Sequence, residues 1–189
     1  MNKTITTPAG IARYPHLNRP DTKFDEVGVY SVNLEMSEDD AAPFIEAVDG
    51  VFTEFLNEKK RELKKDKLKL HAFPWETNDG LVQLKLKVKA MGKDKAGETY
   101  SRAPKLFNAS GEVITDNIGG GSKLKVAVVP YCWYTASLGA GITLQPKAVQ
   151  VLELVTWGDG GSAAAYGFDT EEAPRASAKT GTDDKDIEW

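Results

Sequence analysis

Residues 81–91 read LVQLKLKVKAM, and this stretch decides the fold. On an extended chain, Leu84, Leu86, Val88 and Ala90 fall on one side, and Gln83, Lys85, Lys87 and Lys89 on the other. Side chains alternate across a strand, so a period of two means a sheet with one apolar and one wet face. A helical turn of 3.6 residues would instead scatter these lysines around a cylinder.

The stretches on either side carry the same signal. Downstream, residues 99–107 (TYSRAPKLF) read as a strand interrupted by Pro104, and NASGE at 108–112 as a hairpin turn. Short strands are expected at 112–118, 122–129 and 131–135, split by Gly119-Gly120-Gly121 and by Pro130. Strands at 141–145 and 147–157 close the series. Upstream, 27–35 (VGVYSVNLE) alternates, with Tyr30, Val32 and Leu34 on one face and Ser31, Asn33 and Glu35 on the other. Residues 1–26 resist reading, because Pro8, Gly10, Pro15, Asn18 and Pro20 break any period; 11–17 is left as a short edge strand.

One helix is expected, over about residues 39–64. Phe44, Ile45, Val48, Val51, Phe52, Phe55 and Leu56 recur at three- and four-residue spacing. Ser37, Asp39 and Asp40 are N-cap candidates, and a cap at Asp39 or Asp40 puts Pro43 in the first turn. Acids open the helix and Lys59, Lys60 and Arg61 close it, in line with its dipole. Gly50 is a weak point inside it. Many short strands, many turns and one long helix predict a mainly β fold, a small closed barrel or sandwich.

Composition narrows the function classes. The chain has 189 residues, 41% of them hydrophobic, one cysteine and two histidines. That excludes a disulfide framework and a multi-cysteine zinc site, and His16 and His71 lie too far apart for a zinc-protease motif. No apolar run approaches the roughly 18 residues of a membrane span, and the first ten residues lack a signal peptide's apolar core. The net charge of -4 hides segregation. Residues 21–58 carry eleven acids and one base; residues 59–105 carry fourteen bases and six acids. Residues 169–189 carry seven acids against three bases. A basic middle and an acidic end suggest a polyanion partner.

Catalytic signals are poor. Gly119-Gly120-Gly121-Ser122-Lys123 lacks the order of a phosphate loop and reads as a turn. Cys132 lies among Tyr131, Trp133 and Tyr134 and reads as a structural thiol. Between residues 80 and 157 the carboxylates Asp94, Glu98, Glu112, Asp116 and Glu153 are widely spread, which speaks against a metal-dependent nuclease. No enzyme activity and no cofactor are expected.

Binding signals are better. Lys85, Lys87 and Lys89 form a row, followed by Lys93, Lys95, Arg102 and Lys105, then Lys123 and Lys125 on a later strand. Lysine blunts many exposed sheets, but a row of bases that acids barely interrupt also tracks a phosphate backbone. Aromatic rings lie among these bases, and unpaired bases stack on such rings for about 1–3 kcal/mol each. Trp75, Tyr100 and Tyr131 are the better stacking candidates; Trp133 and Phe107 rank below them. Lys59, Lys60, Arg61, Lys64, Lys65, Lys67 and Lys69 form either a second basic surface or a solvated helix tail.

The strand LVQLKLKVKA, the segment KLFNASGEVITDNIGGGSKLKVAVV, the closing strand GITLQPKAVQVLELV and the tail DDKDIEW together resemble the single-stranded-DNA-binding proteins of tailed bacteriophages. The resemblance implies an OB-fold domain over residues 1–157, a Gly/Ala hinge at 158–168 and an acidic tail at 169–189. It implies binding and protection of single-stranded DNA in phage replication, recombination and repair, in the cytoplasm of the infected bacterium. It further implies that Asp183, Asp184, Asp186, Glu188 and Trp189 dock a replication polymerase or helicase-primase and compete with DNA for the basic groove. An exposed strand or the helix also leaves room for a homodimer. The alternative is a non-enzymatic β-barrel of the phage particle that uses its tail for assembly. The usual OB helix joins the third and fourth strands, whereas this one follows the first clear strand, so the strand order stays open.

Overall fold

A computed structural model describes residues 3–156. The elements run β1 (Ile5–Thr6), β2 (Gly10–Asp21), β3 (Val29–Ser37), α1 (Glu38–Leu63), β4 (Trp75–Asn78) and β5 (Leu81–Lys89). They continue β6 (Met91–Lys93), β7 (Thr99–Ser101), β8 (Lys105–Phe107), β9 (Lys123–Thr135) and β10 (Gly139–Glu153).

Five strands close on themselves in the order β9–β2–β3–β5–β10–β9. All neighbours are antiparallel except β5 and β10, which run parallel and meet at Leu86 and Leu144. In chain order the barrel strands thus follow 1-2-3-5-4-1, the OB-fold arrangement. Closure removes the sheet edges that would otherwise invite aggregation. The alternation read from sequence fills the interior. Val32 and Leu34 of β3, Val82, Leu84 and Leu86 of β5, Leu124, Val126 and Val128 of β9, and Leu144, Val149 and Val151 of β10 are buried together.

The structure settles the strand order and corrects three expectations. Residues 11–17 are no edge strand: β2 extends over Gly10–Asp21 and pairs with both β3 and β9, so it closes the barrel. Its period is scrambled by register shifts between Arg13 and His16 and between His16 and Asp21, with Tyr14 at φ 50°. The helix therefore joins the second and third barrel strands. Pro130 and Pro146 do not break the C-terminal strands. β9 runs unbroken through Pro130, because its other edge has no partner beyond Val128, where a missing N–H costs no ladder bond. β10 absorbs Lys147 as a bulge between Pro146 and Ala148. Residues 112–118 form isolated bridges at Val113 and Ile118 rather than a strand.

The helix starts at Glu38, and its cap is Ser37, not Asp39 or Asp40. The Asp40 N–H donates to Ser37 Oγ at 3.2 Å, and the hydroxyl donates to Asp40 Oδ2 at 2.7 Å. Pro43 consequently lies beyond the first turn, and the Asp39 carbonyl lacks its helical donor. Ala41, Phe44, Val48 and Phe52 are buried against β1, β3, β5 and β9. Phe52 meets Phe73 edge-on at 5.8 Å, and Phe73 stacks on Trp75 at 4.9 Å.

Candidate nucleic-acid interface

Residues paired directly across a sheet share a face, so register alone assembles the site. On β5 the outward row is Gln83, Lys85, Lys87 and Lys89, facing Glu35, Asn33, Ser31 and Val29 of β3. Leu86 meets inward Leu144, which turns Thr143 and Gln145 of β10 outward beside the lysines. On β9, Tyr131 pairs with Thr143 and Trp133 with Gly141. Lys87, Lys89, Arg102, Tyr131, Trp133, Thr143 and Gln145 consequently line one groove of about 520 Å³. A second depression of about 670 Å³ adjoins it through Val88, Arg102 and Gln145, and adds Tyr100, Lys105 and Lys147.

Glycines set the rings. A Cβ at Gly141 would lie 2.3 Å from the Trp133 ring, so only glycine lets the indole lie across β10. The indole Nε1–H donates to Thr143 Oγ1 at 3.2 Å. Gly92 plays the same part on the β6–β7 ribbon: a Cβ there would meet both the Tyr100 ring and Arg102 Cδ at 2.8 Å. Arg102 is fixed by its N–H to the Ala90 carbonyl at 2.8 Å and by Nη2 to Gln145 Oε1 at 2.7 Å. A neutral amide thus orients the guanidinium and leaves its charge uncompensated. Tyr131 is 48% and Tyr100 49% exposed, so both rings have a face free for a partner.

The lysines divide by their company. Lys85 pairs with Glu76, Lys89 with Asp25 at 3.3 Å and Lys123 with Glu153 at 3.7 Å. Among the described residues, Lys87, Lys93, Lys95, Arg102, Lys105, Lys125 and Lys147 have no such carboxylate. The Val27 N–H and the Lys89 ammonium hold the Asp25 carboxyl below the usual carboxylate range. Exposed pairs of this kind are screened by solvent, so a phosphate can displace the carboxylate cheaply.

Not every candidate comes together. Trp75 pairs across β4 and β5 with inward Leu84, which puts it on the core face, stacked on Phe73 and turned from the lysines. Lys93 and Lys95 sit on the β6–β7 ribbon and its turn, and both are exposed. Lys125 lies toward the far end of β9 from Tyr131, in a third, shallower depression with Phe107 and Gln150. Asp183, Asp184, Asp186, Glu188 and Trp189, with the hinge, lie outside the described residues.

Three residues gain weight. Trp133 faces the groove; its alternation with inward Val126 and Val128 on one strand was the available signal, hidden by splitting that strand at Pro130. Lys147 is turned out by a bulge that no period predicts. Phe24, in the loop between β2 and β3, is 89% exposed, with the Lys23 ammonium 5.4 Å from its ring centre and Asp25 bound to Lys89 next to it.

Two features that could suggest reactive chemistry have structural settings. Burial pushes the half-buried Cys132 thiol up to about 11, so it stays protonated and inert at neutral pH. The Gly119 and Gly121 N–H groups donate to the Val155 and Ala12 carbonyls, so that loop offers no phosphate cradle.

Comparison with known proteins identifies the fold's relatives. The family model described as single-stranded DNA-binding protein, bacteriophage T7, matches residues 9–154. The single-stranded DNA-binding protein of enterobacteria phage T3 is 31% identical over 185 residues, spanning 84% of this chain and 79% of that protein. Its counterpart from Escherichia phage T7 is 40% identical over 91 residues, 46% of this chain and 39% of that protein. The crystal structure of gp2.5, a single-stranded DNA-binding protein encoded by bacteriophage T7, superposes with a TM-score of 0.71 at 28% identity, covering 86% of this chain and 99% of that one. The single-stranded DNA-binding protein of bacteriophage Enc34, solved in complex with ssDNA, shares the fold at 18% identity and a TM-score of 0.56, over 82% of this chain and 89% of that one. With all five barrel strands inside the family match, the chain belongs to the T7-type family of phage single-stranded-DNA-binding proteins, a family of binders rather than enzymes.

Proposed function

We propose that this chain binds single-stranded DNA with little sequence preference along the outer face of β5, β10 and β9. The observation that carries the reading is the groove itself, in which uncompensated Lys87 and Arg102 flank the Tyr131 and Trp133 rings. Lysine and arginine neutralise phosphates, and exposed rings stack on any unpaired base. The polar side chains lining the groove are engaged within the protein, Gln145 accepting from Arg102 and Thr143 from Trp133, so they are poorly placed for the base-edge contacts that sequence-specific readout would require. Tyr100, Lys105 and Lys147 extend the track, Lys89 joins when a phosphate replaces Asp25, and Lys85, Lys93, Lys95, Lys123 and Lys125 supply a surrounding positive field.

In the infected bacterium this binding protects single strands during phage replication, recombination and repair. The acidic tail, with Asp183, Asp184, Asp186, Glu188 and Trp189, competes with DNA at high effective concentration and docks a replication polymerase or helicase-primase. A homodimer is part of the same proposal.

Fluorescence anisotropy with labelled oligo-dT and a matched duplex across a salt series tests the reading. Single strand is expected to win, and replacing Lys87 and Arg102 by Gln to flatten the log–log salt slope by about 1.4, or 0.7 per phosphate. A chain stopped after Phe168 is expected to bind more tightly at low salt. Equal affinity for the duplex, or a slope untouched by both substitutions, sinks the groove assignment.

A further inference from the structure

The groove does not end at Trp133. The His71 ring lies 5.2 Å from the Trp133 ring, at the end of the groove nearest the β9–β10 hairpin. His71 belongs to a segment that docks on that hairpin like a short extra strand. Leu70 bridges in parallel to Ala140, the His71 N–H donates to the Ala140 carbonyl at 2.8 Å, and the Ala140 N–H donates to the Lys69 carbonyl at 2.8 Å. Lys69 Nζ reaches the Ser137 carbonyl at 3.3 Å. Gly139 makes the docking possible: at φ 89° it takes a conformation that favours glycine, and a Cβ there would lie 2.2 Å from the Lys69 carbonyl oxygen.

Upstream of the docked segment lies the basic end of the helix. Lys64 turns the chain in a left-handed cap at φ 51°, with the Lys64 and Lys65 N–H groups returning to the Arg61 and Lys60 carbonyls. Lys64, Lys65 and Lys67 follow on exposed chain, and among the described residues none has a carboxylate within ion-pair distance. Asp66 is the one acid between Lys64 and His71. Five residues of extended chain reach at most about 18 Å, so Lys64 is tied within that distance of Lys69 on the hairpin. Of the helix-end cluster, which the sequence leaves open between a second basic surface and a solvated tail, Lys69 is therefore anchored at the hairpin by the mouth of the groove, with Lys64, Lys65 and Lys67 on the short run of chain that leads to it.

We propose that Lys64, Lys65, Lys67 and Lys69 form a ramp that takes up the phosphates of a single strand after it leaves the groove past Trp133 and His71. The inference rests on the groove reading and adds a length dependence to it. A strand that fills only the groove never touches the ramp; a longer one does. The ramp carries no aromatic ring between Lys64 and Leu70, so it holds backbone and not bases. Its contribution is accordingly electrostatic, insensitive to sequence and steeply weakened by salt.

The test compares the full chain with a variant carrying Lys64→Gln, Lys65→Gln and Lys67→Gln, three exposed side chains whose loss leaves no buried group unpaired. Lys69 is kept because its ammonium also bonds the hairpin. Both proteins are titrated with a short oligo-dT of about 6 nucleotides and a long one of about 20, lengths that bracket the roughly 4–16 nucleotides one OB-fold covers. The expected result is an unchanged short-oligomer curve and a long-oligomer salt slope flattened by about 2, at 0.7 per lost phosphate contact. An unchanged long-oligomer slope overturns the inference. So does an equal loss at both lengths, which is general field and no ramp, or a gain at either length, which means the lysines hold the protein's own acids. Each of these results leaves the groove reading standing. Failure of the unaltered chain to bind the short oligomer fells the groove reading, and the ramp falls with it.

Discussion

Two tryptophans on the same barrel are put to opposite uses. Trp75 and Trp133 both sit on strands, and both are partly buried. Trp75 faces Leu84 across the sheet, stacks on Phe73 and seals the helix against the barrel. Trp133 faces Gly141 and lies along the groove with its N–H bound to Thr143. The chemistry of the ring is the same; the parity of its position on the strand is not. A sheet with a period of two separates stability from binding at the spacing of one residue, so the inner row can be damaged without touching the outer one, and the reverse.

The sharpest way to break that division is through the inner row. Leu84 is fully buried between β3 and the helix side of the core. Leu84→Ala is expected to cost about 2–5 kcal/mol of unfolding free energy, by lost burial and the cavity left behind. Urea denaturation followed by tryptophan fluorescence measures it. The fraction that remains folded should bind oligo-dT with an unchanged salt slope, because no outward residue has moved. A slope that changed along with the midpoint would mean that the two faces are coupled.

The rings give the next largest effect. Tyr131→Ala is expected to cost about 1–3 kcal/mol in oligo-dT affinity, the worth of one base stacked on an aromatic face. Thermal melting should shift little, since the ring is half exposed. Trp75→Ala is expected to do the opposite, with a lowered melting point and an unchanged affinity for the folded protein. Anisotropy and melting on both variants decide it. Lost affinity in the Trp75 variant would restore that residue to the binding surface and undo the assignment by strand parity.

How far these roles can be read from the sequence follows from the same parity. The lysine row of β5 is legible because four inward residues and four outward ones alternate without a break. The helix is legible because seven apolar residues hold their spacing over nearly four turns, though its cap falls on Ser37, where two acids nearby compete for the same role. β2 is not legible. Its register shifts and the positive φ of Tyr14 are tertiary accommodations, made so that one strand can bend round and reach both β3 and β9. Two prolines inside one strand are a strong local argument against it, and only the closed barrel outweighs them. The same overreading of proline split β9 at Pro130 and hid that Tyr131 and Trp133 share a face with Val129 and Ala127. Trp75 misled for another reason. Nothing local distinguishes a ring that follows a proline into a turn from one that enters the core, and it took the pairing with Leu84 to decide. Phe24 and Lys147 carried no periodic signal at all, because loops and bulges are set by what they connect.

The smallest effect tests the claim from outside both faces. Gly50 lies in the exposed interior of α1, and a Cβ built there meets nothing within 4 Å. Glycine inside a helix is disfavoured because the unfolded chain has more freedom to lose. Gly50→Ala is therefore expected to stabilise the protein by about 0.5–1 kcal/mol, seen as a higher denaturation midpoint with an unchanged dependence on denaturant. Oligo-dT affinity should stay the same, since α1 packs on the core side and gives no side chain to the groove. If affinity rises with stability, then the groove is not preformed, part of the binding energy goes into ordering the barrel, and the two faces of β5 are less independent than their register makes them. If only stability rises, the outer face is already organised before any strand arrives, and its glycines at positions 92 and 141 are what fix the rings in place.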